Sequence, residues 1–322
     1  MQAAMNIIGD DLKLVEQQFR KDLESDVPLI RKVGEYVLSS GGKRVRPALL
    51  LLASRLCSYT GDRAVPLASV IEFIHTATLL HDDVVDSATL RRGLASANTL
   101  WGNEASVLIG DFLFSKSFSL MVSVGSLDIL RVLSGATTII AEGEVMQLLY
   151  TGEIDLSEED YISVVRSKTA ILMSAACEAG AILGGVAPEK QRSLSSFGMN
   201  LGIAFQLMDD TLDYIASEEE FGKSIGHDLE EGKITLPLIH TLRHCSDPER
   251  QTIARVIENE EMSLEDFRDV SALVKGYGGI EYTVSIARRY IEECAADLRG
   301  FGPSPEREAL LELAEYVVTR SR

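Results

Sequence analysis

The stretch IEFIHTATLLHDDVVD, residues 71–86, carries apolar side chains at helical spacing and then stops in three aspartates. On a helix Asp82 and Asp86 fall one turn apart on the same face, with Asp83 beside them, so like charges are crowded at the end of an apolar rod. The same helical period recurs in LKLVEQQF (12–19), LLLASRL (50–56), LDILRVLSGATTIIAEGEVMQLL (127–149) and YTVSIARRYIEECAADL (282–298), while period-two alternation is hard to find. These patterns predict an all-α chain. Punctuation agrees: Gly41-Gly42 closes one helix, Pro47 opens the next, and Pro66, Pro188 and Pro237 stand beside other helix starts. No linker rich in Pro, Gly or Ser and no fixed-period repeat divides the chain, so one domain over residues 1–322, built from about a dozen helices, is expected. The long polar connections fall near 87–98 and 217–237.

Composition limits the function classes. The 322 residues are 46% hydrophobic and 25% charged, enough apolar material for a large core. Forty-nine Asp and Glu against 31 Lys and Arg give a net charge of -18, which argues against nucleic acid or an anionic membrane as partner. Any anionic ligand must meet a local basic pocket. The four cysteines, at 57, 177, 245 and 294, form no CxxC pair, so neither a disulfide framework nor a zinc knuckle is indicated and a reducing cytoplasm fits. No secretory leader is read at the N-terminus, and no uncharged apolar run of membrane-spanning length is expected.

The acidic pattern occurs a second time in GIAFQLMDDTLDY (202–214), where Asp209 and Asp213 share a face and Asp210 adjoins them. One acidic helix end is ordinary solvated surface. Two copies of DDxxD, each ending an apolar helix, call for a ligand that rewards the crowding. Oxygen-only donors suit a hard cation such as magnesium, which takes one or two carboxylates and completes its octahedron with water and phosphate oxygens. The spaced loop of an EF-hand is missing, which disfavours calcium of that kind. Carboxylates bridged by magnesium would clamp a phosphorylated leaving group between two helices by Lewis-acid chemistry. Basic groups stand close by in sequence: Arg91 and Arg92 after the first cluster, Lys223 and Lys233 after the second, and Lys43, Arg44 and Arg46 in GGKRVRP (41–47). Singly each is a routine surface charge, and Arg44 and Lys233 divide evenly between surface and contact.

GGKRVRP, HTATLLHDDVVDSATLRRG, SKTA (167–170), FQLMDDTLDY and FGKSIGHDLEEGKITLPL (221–238), taken in this order, resemble the trans-type isoprenyl diphosphate synthases. The likeness covers about residues 10–320, and among the family's branches it is strongest to the long-chain bacterial octaprenyl diphosphate synthases. It implies an all-α bundle of the isoprenoid synthase type with a helix-lined central cavity, several magnesium ions and a homodimer. It further implies that Asp82, Asp86 and Asp209, with Asp83, Asp210 and Asp213, hold magnesium on an allylic diphosphate. Arg91, Lys168, Lys223 and, more weakly, Lys233 would contact that diphosphate. Lys43, Arg46, His75 and Arg92 would bind isopentenyl diphosphate, and Thr169 and Gln206 would lie along the reacting allyl group. Ile234 stands where proline is common in the family.

In the chemistry the resemblance implies, pyrophosphate departs, the allylic carbon ionises, and the double bond of isopentenyl diphosphate attacks it. Released pyrophosphate removes the proton, so no conventional base is required. The growing tail would run back along the helix that ends in Asp82. Ala77 and Thr78, where short-chain relatives carry aromatic blocks, leave the gate open, and the deeper limit falls to Ile74, Ile71 or Val70, or to Phe118, Met121 or Leu133 on a facing helix. Competing readings are a shorter-chain synthase making geranylgeranyl or farnesyl diphosphate, a non-catalytic partner subunit, an HD-type phosphohydrolase using His81-Asp82, and a helical scaffold. The hydrolase needs further ordered ligands from only five histidines and leaves Asp209 and Arg91-Arg92 without a role. A scaffold gives no reason to repeat repelling carboxylates.

Overall fold

A computed structural model of the chain describes residues 2–215, 226–259 and 262–319. Among them the architecture is helical: α1 (Gln2–Asp22), α2 (Pro28–Ser39), α3 (Val45–Leu56), α4 (Ala64–Val85), α5 (Ala97–Trp101), α6 (Asn103–Val124), α7 (Leu127–Tyr150), α8 (Glu158–Val165), α9 (Ile171–Leu183) and α10 (Pro188–Leu212). After these come α11 (His227–Glu230), α12 (Leu236–Leu242), α13 (Asp247–Ile257), α14 (Leu264–Gly276), α15 (Gly279–Asp297) and α16 (Pro305–Thr319). A five-residue π segment, Arg166–Ala170, joins α8 to α9. The chain forms two compact units, each assembled from separated stretches: residues 1–138, 172–198 and 297–313 in the first, and 139–171, 199–296 and 314–322 in the second.

In the first unit α4 is the central element. Apolar residues occupy most of its circumference, and such a helix has no solvent face to offer, so it is packed against α1, α3, α5 and α6. Phe73, Ala77 and Leu80 on α4 bury against Phe19 and Leu23 of α1 and Ile109 and Leu113 of α6, with the Phe19 and Phe73 rings 4.2 Å apart. Each side chain of this size contributes about 1.5–3 kcal/mol on full burial. Gly110 lets α6 approach the end of α4, because a Cβ there would come within 2.3 Å of His81 Nε2.

Two details depart from the sequence reading. The polar connection after α4 contains a minimal antiparallel hairpin, β1 (Leu90–Arg91) with β2 (Leu94–Ala95), too short for alternation to register. By length and composition α4 and α6, which the sequence reading did not single out for this, are also apolar enough to cross a bilayer, although neither is an uncharged run: α4 carries Glu72 and α6 carries Asp111 and Lys116. Of the apolar window in α4, 67% is buried inside the protein, as a core helix requires; in α6 the share is 33%.

Candidate active site

The carboxylates of the first cluster occupy the last turn of α4, with Asp86 at its C-cap. That is the negative end of the helix dipole, so placing three acids there is unfavourable twice over, by the dipole and by mutual repulsion. The fold answers the charge of Asp83 directly. Asp83 is buried and accepts a 2.5 Å hydrogen bond from Arg91 Nε, reaching back from the hairpin. Asn98 Nδ2 donates to the Asp83 carbonyl at 3.0 Å and Ala88 N to the same oxygen at 2.9 Å, which fixes the backbone behind the cluster. Burial raises the Asp83 carboxyl above its ordinary range, Arg91 opposes the rise, and Asp82 and Asp86 add to it. Asp82 and Asp86 are both partly exposed. They are therefore the members of the cluster whose oxygens lie nearer to solvent.

A basic pocket is built in the same unit. Arg46 Nη1 lies 3.2 Å from His75 Nε2. Burial, reinforced by the guanidiniums of Arg46, Arg92, Arg91 and Arg44, holds the His75 imidazole well below its ordinary range. A neutral ring that accepts from Arg46 at Nε2 must carry its proton on Nδ1. Arg92 reaches the pocket across Gly42, where a Cβ would stand 2.9 Å from its Nη1. Gly42, with φ +152, is the position at which the chain needs both the missing side chain and the unusual backbone. Lys43, next in the chain, is exposed.

Arg44, evenly divided in sequence, proves internal. It adopts a left-handed φ of 48°, donates to Glu72 Oε2 at 2.7 Å and to the Leu38 carbonyl at 2.9 Å, and so ties the glycine loop to α4. Farther along α4, Ala77 and Ile74 are fully buried, whereas Thr78 is partly exposed and turns its hydroxyl to the His75 carbonyl at 2.8 Å. Of the candidate floor residues, Met121 and Leu133 are buried and Phe118 is partly so.

The second cluster, at the end of α10, lies in the second unit and has a different setting. Asp210 is buried at 3% exposure, and both its oxygens are taken: Tyr161 Oη donates to Oδ2 and Gln206 Nε2 to Oδ1 at 2.7 Å. Thr169 Oγ1 in turn donates to Gln206 Oε1 at 2.9 Å. Burial, then Asp228, drive the Asp210 carboxyl well above its ordinary range, against the pull of Tyr161 and Gln206. Asp213 accepts backbone N–H bonds from Gly226 at 2.8 Å and Asp228 at 3.2 Å, yet burial and the Asp228 charge push it up to about 8.

Lys168 and Thr169 project from the π segment, whose extra residue re-aims the side chains it carries. Glycines hold that segment closely. A Cβ at Gly143 of α7 would meet Ser167 Cβ at 2.8 Å, and one at Gly202 of α10 would meet Ala170 Cα at 2.5 Å. Lys168 pairs with Glu144 at 2.7 Å, and Lys233 with Glu231. Tyr161, Lys168, Thr169, Gln206, Asp210 and Lys233 all line one cavity of about 130 Å³. Lys223, expected at the diphosphate, lies outside the described residues. The sequence reading did not single out Tyr161, Glu144, Asp228 or Glu231. Asp228 and Glu231 stood inside a recognised stretch, whereas Tyr161 and Glu144 carried no spacing signal.

Among the described residues no three His, Cys, Asp or Glu side chains converge into a self-sufficient metal cage. The donors in both acidic clusters are carboxylate oxygens, which suit magnesium, whose octahedron is completed by water and substrate phosphate.

Comparison with known proteins agrees with this chemistry. The sequence pattern of the Polyprenyl synthetase family matches residues 27–274. The octaprenyl diphosphate synthase of Escherichia coli (strain K12) is 45% identical over 318 residues, covering 98% of both chains. The all-trans-nonaprenyl-diphosphate synthase (geranyl-diphosphate specific) of Rhodobacter capsulatus is 38% identical, over 97% of this chain and 96% of its own. The crystal structure of a polyprenyl synthase from Caulobacter crescentus CB15, complexed with calcium and isoprenyl diphosphate, superposes with a TM-score of 0.96 at 41% identity, over 100% of this chain and 98% of that one. With paired acidic helix ends, a basic pocket and likeness along its whole length, the chain belongs to the polyprenyl synthetase family of prenyl-transferring enzymes.

Proposed function

We propose that this chain is a long-chain trans-prenyltransferase that extends an allylic diphosphate, such as farnesyl diphosphate, by repeated condensation with isopentenyl diphosphate, with the octaprenyl product favoured. The observation that carries the reading is the 45% identity over 98% of both chains to the Escherichia coli octaprenyl diphosphate synthase. The full chain, 1–322, serves as the catalytic domain.

Each residue has a task that its chemistry supports. Asp82 and Asp86 in the first unit and Asp209 in the second would hold magnesium, which would supply Lewis-acid stabilisation of the departing pyrophosphate. Calcium with isoprenyl diphosphate in the Caulobacter crescentus relative is in line with a divalent-metal site. Asp83 and Asp210 act from behind: buried and hydrogen-bonded, they hold the ends of α4 and α10 rigid. Arg91, Lys168, Lys223 and Lys233 take the allylic diphosphate. Arg46, Arg92 and Lys43 take isopentenyl diphosphate, and a neutral His75 orients Arg46 without adding a charge of its own. The apolar walls of α4 exclude water from a carbon that would otherwise be hydrolysed.

Product length is set along α4, where the small Ala77 lets the tail pass and Ile74 lies one turn deeper. A homodimer is part of the proposal: α6 leaves Leu108 and Val122 66% and 65% exposed, an apolar surface that a second copy would cover. The proposed compartment is the cytoplasm. Purified protein should incorporate labelled isopentenyl diphosphate into a longer product only when magnesium is present, with loss on chelation and recovery on adding it back. Phosphate release without incorporation would favour the hydrolase reading instead.

A further inference from the structure

The second unit contains a chain of hydrogen bonds that converges on Asp210. Thr169 Oγ1 donates to Gln206 Oε1, Gln206 Nε2 donates to Asp210 Oδ1, and Tyr161 Oη donates to Asp210 Oδ2. Every link is intermediate or buried in exposure, and all four residues line the same cavity. An amide has one accepting and one donating end, so the partner at one end dictates what the other end offers. With the Gln206 amino group on Asp210, its carbonyl faces Thr169, and the Thr169 hydroxyl spends its proton there. What Thr169 has left for the cavity is a lone pair. Reversing the amide would instead aim the hydroxyl proton at the cavity, the wrong polarity beside a carbon that develops positive charge.

The geometry points to Tyr161 as a positioning residue, which pins Asp210 from the side opposite Gln206 and thereby sets the polarity with which Gln206 and Thr169 meet the reacting allyl group. This rests on the prenyltransferase reading above. Tyr161 is a fitting anchor because it is 6% exposed in α8 and its hydroxyl holds Asp210 Oδ2, the oxygen opposite the one that Gln206 holds. Without the phenol, Asp210 keeps the single donor Gln206 and is free to rotate, and the amide that depends on it loses its fixed sense. In this arrangement the relay acts on the allyl group, so the effect belongs in turnover and not in affinity.

The experiment is a double-mutant cycle on the full-length protein with farnesyl diphosphate, isopentenyl diphosphate and saturating magnesium. Tyr161→Phe should lower kcat about tenfold, the factor equivalent to one buried hydrogen bond, with KM for both diphosphates within about twofold of the wild type. Thr169→Val should lower kcat at least as far, and the Tyr161→Phe/Thr169→Val double variant should fall no further than Thr169→Val alone, because both changes cut one relay. Losses that multiply, or a Tyr161→Phe enzyme with unchanged kcat, overturn the proposal. If Tyr161→Phe does not fold, 3-fluorotyrosine at position 161 preserves the ring and alters only the donor. A shifted kcat at constant KM then supports the relay, and an unchanged kcat overturns it. Wild-type protein in the same assay separates the two claims: a wild type that does not elongate sinks the prenyltransferase reading, whereas an elongating wild type with a multiplicative cycle sinks the relay alone.

Discussion

The end of α4 and the end of α10 carry the same DDxxD spelling and solve its electrostatics in opposite ways. At Asp83 the fold supplies a full positive charge, Arg91 Nε at 2.5 Å. At Asp210 it supplies neutral donors, Tyr161 and Gln206, and then places another carboxylate, Asp228, close enough to raise the acid further. The buried acid of the first cluster therefore meets an ionic partner, whereas that of the second meets neutral donors beside another carboxylate. Identical sequence patterns can thus be anchored by an ion pair at one helix end and by neutral hydrogen bonds at the other.

The largest effect that would break this comparison is on turnover. Asp82→Asn and Asp209→Asn should each lower magnesium-dependent elongation by about 10³-fold while changing stability by less than about 1 kcal/mol, since each removes transition-state stabilisation and relieves repulsion in the fold. Steady-state kinetics beside thermal unfolding checks it, and a fully active Asp82→Asn enzyme contradicts the metal role. Next comes product identity, which belongs to α4 alone. Ala77→Phe should shorten the product with the first condensation largely intact, at an overpacking cost of about 1–3 kcal/mol because Ala77 is fully buried. Chromatography of the chain lengths reads this, and an unchanged distribution would remove the tunnel from α4.

Stability separates the clusters more gently. Arg91→Leu should cost about 2–3 kcal/mol by stranding a buried carboxylate, and Tyr161→Phe about 1 kcal/mol by removing one neutral donor. Denaturant midpoints compare them, and equal losses would erase the contrast between ionic and neutral anchoring. A further contrast is in pH. Asp213 keeps its proton to about 8 in the folded protein against an ordinary value of 3.8, so the folded state binds more protons throughout that window. Its contribution to stability is complete below the lower value and is lost as pH rises through about 8. In metal-free buffer Asp213→Asn should therefore flatten the fall in stability between pH 4 and 8 relative to wild type. Parallel curves for the two proteins would place Asp213 outside the buried cluster.

Much of this was legible because helical period reports faces. Apolar spacing through residues 71–86 and 202–214 gave both helices, and Asp82 with Asp86 followed from a one-turn offset. Period says nothing about partners from other helices. Whether Asp82 or Asp83 would be the buried member depends on Arg91 returning from a hairpin of two-residue strands, too short to alternate. Arg44 could not be placed because its partner Glu72 lies on α4, 28 residues away, and only packing joins them. Tyr161 was invisible for the same reason, with Asp210 49 residues distant. The π segment that aims Lys168 and Thr169 also leaves no mark in composition, since SKTA reads as ordinary helix until Gly143 and Gly202 are seen against it.

The most direct test of the central claim is the product itself. Purified protein, farnesyl diphosphate, labelled isopentenyl diphosphate and magnesium should yield an all-trans chain of the octaprenyl class, resolved by length after dephosphorylation. A product that stops at geranylgeranyl, or phosphate released with no chain growth, would contradict it.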